Sequence, residues 1–219
     1  MTNASPLAAA APPRECGRCP RLVDLREDCR RRYPNWWNAP VPAFGDPRPW
    51  LAIIGMAPGL RGGNRTGRPF TGDFSGEILF ATLARFGFVQ GAYGGGADDH
   101  VRLCGAAILN VVKCLPPQNK PRPDEVANCL DYFLAELAAL PSARLLLTLG
   151  RIAHDGLLRA LGLRLAAYPF SHGAVHRLPD GRLLIDSYHC SRYNMNTRRM
   201  TPAMFDAIFE KALALKPGG

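Results

Sequence analysis

Four apolar runs of strand length punctuate the chain, at residues 50–56, 106–112, 144–149 and 182–188. Between them the apolar positions change period. Ile78, Leu79, Thr82, Leu83 and Phe86 recur at three- and four-residue intervals, which is the spacing of one helix face. Val126, Cys129, Leu130, Phe133 and Leu137 do the same, after the helix-starting run Pro123-Asp124-Glu125. A third helix is predicted over 151–161. A last one carries Met204, Phe205, Ile208, Phe209 and Ala212, with Thr201 as N-cap and Pro202 in the first turn. Strands alternating with helices predict an α/β fold: three layers, α/β/α, around a central four-stranded parallel sheet joined by right-handed crossovers.

This architecture locates a site before any motif is considered. Open parallel sheets bind ligands at the carboxyl ends of their strands, near the point where strand order reverses. The loops there are 55–75, 113–123 and 188–201, with a less informative one after Leu149. Residues 20–49 read as an irregular N-terminal arm and 91–99 as a flexible surface loop. The Ala/Pro-rich stretch 1–13 reads as a disordered tail, leaving a single domain over 14–216.

Charge changes the picture. The 219 residues carry a net charge of +9, which suggests a polyanionic partner. The excess gathers on the predicted site loops. Arg61, Arg65 and Arg68 lie in 55–72 without an acid among them, and Arg192, Arg198 and Arg199 lie in 187–203, again without one. Nucleic acid is therefore favoured as the partner. No basic leader with an apolar core opens the chain, and no run of about 18 apolar residues exists. A cytoplasmic protein acting at the nucleoid is expected, with no membrane attachment, and as a monomer.

Seven cysteines in such a chain point to thiols or metal ligands rather than disulfides. Cys16 and Cys19 form a C-x2-C pair. Cys114 ends the second strand and Cys129 lies on the next helix, so the arm can bring all four thiols together. Four thiolates suit either tetrahedral zinc or an iron–sulfur cluster, and spacing does not separate these. Cys29, Cys104 and Cys190 read as small buried residues.

The loop from Gly59 to Gly76 follows the first strand and is rich in glycine, so its backbone can approach a ligand closely. It has neither the Gly-Lys-Ser/Thr of a Walker loop nor G-x-G-x-x-G. Asp73 is the one carboxylate between Gly55 and Ser75, and it suits a helix N-cap as well as catalysis. Phe70 suits core packing as well as base stacking. His189 stands one residue beyond a strand, facing an arginine-rich loop, and is a candidate for acid–base or electrostatic work. His100, His154, His172 and His176 lack such a setting.

Taken together these motifs resemble the iron–sulfur uracil-DNA glycosylases, families four and five, with family five (the B type) the better match. The residues concerned are the four cysteines, Gly55-Met-Ala-Pro-Gly59, Asn64-Arg-Thr-Gly-Arg-Pro-Phe-Thr-Gly-Asp73, Lys113-Cys-Leu-Pro-Pro-Gln-Asn-Lys-Pro121 and His189-Cys-Ser-Arg-Tyr-Asn194. The resemblance covers about residues 14–216. It implies a [4Fe-4S] cluster on Cys16, Cys19, Cys114 and Cys129, Phe70 stacked on an extruded base, and His189 at the base carbonyl. It places Gly55, Ala57 and Asn194 in the substrate pocket. Met56 and Ala57 stand where other families carry a polar catalytic side chain, which leaves Asp73 to act on water. Asn110 resembles the base-reading Asn of family four, and Tyr193 lies where relatives insert a wedge into the duplex.

The implied activity is hydrolysis of the N-glycosidic bond of uracil in double- or single-stranded DNA, leaving an abasic site without strand cleavage. Two rivals remain at this stage. One is another nucleobase or nucleotide hydrolase on the same sheet. The other is a DNA-binding iron–sulfur protein that releases no base.

Overall fold

A computed structural model describes residues 9–216. The four predicted strands form as β2 (Leu51–Gly55), β5 (Ala106–Asn110), β6 (Leu145–Leu149) and β8 (Leu183–Ser187). They pair in parallel in the order β5-β2-β6-β8. Burial on both faces is what makes them continuous apolar runs rather than alternating ones.

The sheet is larger than expected. Two short antiparallel strands, β1 (Phe44–Gly45) and β7 (Val175–Arg177), close its edges beside β5 and β8. A separate two-stranded ribbon joins β3 (Val89–Gln90) to β4 (Arg102–Leu103). At two or three residues apiece, these strands are too short to show a period in sequence.

Helices cover both faces. Phe74–Arg85 and Pro202–Ala214 pack on one through Leu79, Phe80, Leu83, Phe205 and Phe209. Pro123–Ala138 and Arg151–Ala160 pack on the other through Phe133, Leu137, Leu157 and Leu158. The expected layers are therefore present.

The arm departs from the expectation. Residues Pro20–Arg32 form a thirteen-residue helix, not an irregular segment. Only Leu22, Arg26 and Cys29 are buried along it, so its apolar stripe is too thin to stand out against its charges. Of the tail expected over 1–13, residues 1–8 lie outside the described residues, and Pro12 is buried beside the cysteines.

Residues 91–99 are anchored as well. Tyr93 stacks on Phe80 with ring centroids 4.4 Å apart, and its hydroxyl accepts the Gly72 amide at 3.0 Å. No helix among the described residues is long and apolar enough to cross a membrane.

Candidate active site

The first strand of the parallel set, β2, has its successor β5 on one side and β6 on the other. The strand order therefore reverses at β2, and a cavity of about 550 Å³ opens there at the carboxyl ends. Met56 to Gly59 line it from the end of β2, Asn110 from β5, Leu149 to Ala153 from β6, and Tyr188 and His189 from β8. Its size and mixed lining suit a small aromatic ligand held by a few polar groups.

Two groups converge over Gly55. A Cβ built there would lie 2.3 Å from Asn110 Oδ1 and 2.6 Å from the Phe70 ring, so only glycine lets both reach the cavity. Phe70 holds a left-handed backbone (φ 51°), a conformation costing about 1–3 kcal/mol in a residue with a side chain. Asn119, on the opposite wall, is left-handed too (φ 55°). Such strain at two lining residues is common where backbone geometry serves a ligand. The Phe70 ring faces His189 with centroids 5.8 Å apart.

Asn110 is 2% exposed, and its Oδ1 has no hydrogen-bond partner among the described residues. A buried acceptor left unpaired is costly unless a ligand donor completes it. The end of β5 is held firmly behind it. Lys113 Nζ donates to the Asn110 carbonyl and pairs with Glu136, and both charged side chains are fully buried. Glu136 also accepts the Ala43 amide at 3.0 Å.

Asp73 fulfils the capping reading and also lines the cavity. Its Oδ1 accepts the Gly76 amide at 3.0 Å and caps the helix Phe74–Arg85. Its Oδ2 turns toward the glycine loop, where a Cβ on Gly62 would come within 2.2 Å of it. The residue lines the cavity, so the cap leaves one carboxylate oxygen for other work.

Burial pushes the His189 imidazole below its ordinary pKa, and the negative charge of Asp73 opposes this in part. Burial thus favours the neutral imidazole. Asn194 lines the cavity and also donates from Nδ2 to the His189 carbonyl at 2.8 Å, fixing that residue's backbone. Ala57 lines the cavity as expected, while Gly55 acts beneath it.

The arginines divide. Arg61, Arg65, Arg192, Arg198 and Arg199 are exposed, and none has a carboxylate partner among the described residues. Arg199 lines the cavity and lies over the Tyr188 ring. Arg65 also braces its loop, donating to the carbonyls of Arg61 at 2.9 Å and Gly72 at 3.2 Å.

Arg68 does not belong with them. It is 5% exposed and grips Asp99 with two bonds of 2.6 and 2.7 Å, while its Nε donates to Thr71. Buried and paired in this way, the guanidinium is not presented to a phosphate. Tyr193, in contrast, is 71% exposed on the short helix Arg192–Asn196.

Sequence reasoning passed over part of the wall. Arg151, Phe170, Ser171 and Tyr188 all line the cavity. Phe170 and Ser171 sit on a segment tied down by His154, which bridges Asp186 at 2.7 Å and the Tyr168 carbonyl at 2.9 Å. His154 and Asp186 are fully buried, so the histidine set aside as lacking a setting is an anchor.

Cys16, Cys19, Cys114 and Cys129 line one small hollow, separate from the cavity. Burial first, then neighbouring thiols, push Cys114 up to about 12; burial pushes Cys129 up to about 11 and raises Cys19. Two of the sulfurs already accept hydrogen bonds, Cys129 from the Lys113 amide at 3.4 Å and Cys19 from Asn128 at 3.7 Å. Among the described residues no group of three or more His, Cys, Asp or Glu side chains is placed to hold a single metal ion.

Residues 42–213 match the family described as the uracil DNA glycosylase superfamily. The chain belongs to the uracil-DNA glycosylase superfamily. It is 44% identical over 205 residues to the type-5 uracil-DNA glycosylase of Thermus thermophilus, covering 91% of this chain and 93% of that one. It is 40% identical over 203 residues to the type-5 enzyme of Pyrobaculum aerophilum, covering 91% and 88%. The type-4 uracil-DNA glycosylase of the same organism is 31% identical over 181 residues, covering 82% of each chain. The superfamily match starts at residue 42, past Cys16 and Cys19, whereas the type-5 relatives align with 91% of the chain.

Proposed function

We propose that this protein is a monofunctional DNA-repair glycosylase that hydrolyses the N-glycosidic bond of uracil in DNA. The observation that carries this reading is the unpartnered Asn110 Oδ1 beside the Phe70 ring, at the base of a cavity rimmed by exposed arginines. Uracil offers a ring N–H donor flanked by carbonyl oxygens. Asn110 can accept from that N–H and donate from its amide to the neighbouring carbonyl, a pattern cytosine lacks.

The target base must leave the stack to reach such a cavity, at a cost of a few kcal/mol that is lowest for a mismatched base. Arg61, Arg65, Arg192, Arg198 and Arg199 hold phosphates along single- or double-stranded DNA. Tyr193 enters the space the nucleotide vacates, and Phe70 stacks on the extruded base. As the bond breaks, positive charge builds on the sugar and negative charge on the base. Neutral His189 donates to the base carbonyl, a role that needs the N–H but not a full charge. The free Oδ2 of Asp73 orients water toward the anomeric carbon and offsets the sugar cation. Backbone phosphates add to that offset. The products are free uracil and an abasic site.

The four thiols would hold a [4Fe-4S] cluster. A set of four soft sulfur donors without a carboxylate or imidazole suits iron–sulfur chemistry. All four thiols line one hollow, which brings the arm, the end of β5 and the helix Pro123–Ala138 to one place. When bound, the group supplies a cross-link between the N-terminal helix, the end of β5 and the helix Pro123–Ala138. The protein acts as a monomer.

The test is incubation with uracil-containing duplex DNA followed by alkali. Breaks at uracil positions only after alkali are the expected result. Release of base from free nucleosides would favour a nucleoside hydrolase, and DNA binding without any release would favour a non-catalytic DNA-binding protein.

A further inference from the structure

Arg26 is a buried cation without a close counter-ion. It lies on the helix Pro20–Arg32 and is 6% exposed. Its Nη1 donates to the Cys16 carbonyl at 3.0 Å, and its Nε has no hydrogen-bond partner among the described residues. The carboxylate within reach is Glu27, 4.0 Å away. That side chain is 44% exposed and already bonds Arg30 at 2.9 Å. A guanidinium held this way is unfavourable unless an anion lies on its other side.

The other side is the cysteine hollow. Arg26 lines it together with Cys16, Cys19, Cys114 and Cys129. Helical spacing explains the placement, because residues seven apart share a face and Cys19 immediately precedes the helix. With all four thiols protonated the hollow holds a cation and no anion. Four thiolates around a cluster reverse this, because their charge exceeds that of the core.

We propose that Arg26 is the built-in counter-ion of the anionic group held by Cys16, Cys19, Cys114 and Cys129, with its free Nε–H available to a sulfur. The proposal rests on the iron–sulfur reading. Arg26 is a positioning residue and does not line the cavity assigned to the base. Its charge stabilises the bound group against loss, and it favours the more reduced state because an added electron is better tolerated beside a cation. Net charge and hydrogen bonds to sulfur are established means of setting both properties.

The experiment compares wild type, Arg26→Gln and Arg26→Lys, each purified anaerobically with its metal. Iron and sulfide are counted, bleaching of the visible absorbance is timed in excess chelator, and the midpoint potential is read by spectroelectrochemical titration. Arg26→Gln is expected to release iron about tenfold faster or more and to shift the midpoint to more negative values. Arg26→Lys, which keeps the charge, should hold its potential near wild type and release iron at an intermediate rate.

An iron-free wild type overturns the cluster reading and the proposal with it. An iron-loaded wild type matched by Arg26→Gln in both rate and potential overturns the role of Arg26 alone. Equal impairment of both variants assigns the effect to the Cys16 hydrogen bond rather than to charge, and also overturns the proposal. Should Arg26→Gln fail to fold, the potential of Arg26→Lys decides: wild-type supports the counter-ion, and shifted contradicts it.

Discussion

Arg68 closes on Asp99 across 31 residues of sequence, with Nη1 donating to Oδ1 at 2.6 Å and Nη2 to Oδ2 at 2.7 Å. This pair staples the glycine loop to the 91–99 segment and removes Arg68 from the DNA-facing set. The two kinds of arginine can be told apart by salt. Arg199→Ala should lower the log–log salt slope of duplex binding by about 0.9, one phosphate contact, and weaken uracil-containing and plain DNA alike. Arg68→Lys should leave the slope unchanged and lower the melting temperature instead. A salt titration of both variants, with melting curves alongside, checks the assignment.

The same pair sets part of the acid stability. Hydrogen bonding to Arg68 holds the Asp99 carboxyl down from 3.8 to about 2, with the Gly94 and Val101 amides assisting. A depressed carboxylate pKa stabilises the fold above the unfolded value, and that stabilisation is lost as pH falls through the folded value. Wild type should therefore lose about 1–2 kcal/mol between roughly pH 4 and 2 from this group. Asp99→Asn should be less stable at neutral pH, since it leaves Arg68 buried and unpaired, and should show a shallower decline in acid. Denaturant unfolding across that pH range gives both numbers.

Gly55 tests the convergence above it. Gly55→Ala places a Cβ against Asn110 Oδ1 and the Phe70 ring, and one of them must move. Misplacing a reacting partner by about 1 Å costs on the order of 10²-fold in rate. Uracil excision should fall by about that factor while the salt slope stays at the wild-type value. Single-turnover rates and binding isotherms on one duplex separate the two effects.

The cysteines make a colour prediction. Anaerobically purified protein should be brown, with about four irons per chain. Cys16→Ser and Cys129→Ser should lose colour and melt lower, whereas Cys29→Ser should keep its iron. Cys29 is buried elsewhere on the helix Pro20–Arg32 and does not line the hollow. One zinc per chain, without iron or sulfide, would contradict the cluster.

What could be seen in the sequence follows from the range of the forces involved. The four parallel strands are legible because burial on both faces demands unbroken apolar runs. The helices Phe74–Arg85 and Pro202–Ala214 are legible because one face of each meets the sheet. The helix Pro20–Arg32 was hidden by its charges, several of which pair with one another, as Arg30 does with Glu27.

Site residues behave the same way. His189 announces itself by standing just after a strand, and Asp73 by being the one carboxylate between Gly55 and Ser75. Arg68 does not reveal its role, because Asp99 lies far along the chain. Arg151 and Phe170 also give no local signal, since one follows a strand loop without a motif and the other depends on the buried His154–Asp186 anchor.

The central claim is that one oxygen of Asp73 caps a helix and the other serves the reaction. Asp73→Asn separates these roles, because asparagine caps about as well as aspartate but carries no charge. The direct measurement is the single-turnover rate of uracil excision by Asp73→Asn on duplex DNA, at enzyme concentrations that saturate binding. The account predicts a rate lowered by about 10²–10³-fold, with melting temperature and DNA affinity near wild type. A rate close to wild type would leave Asp73 as a cap alone and contradict the account.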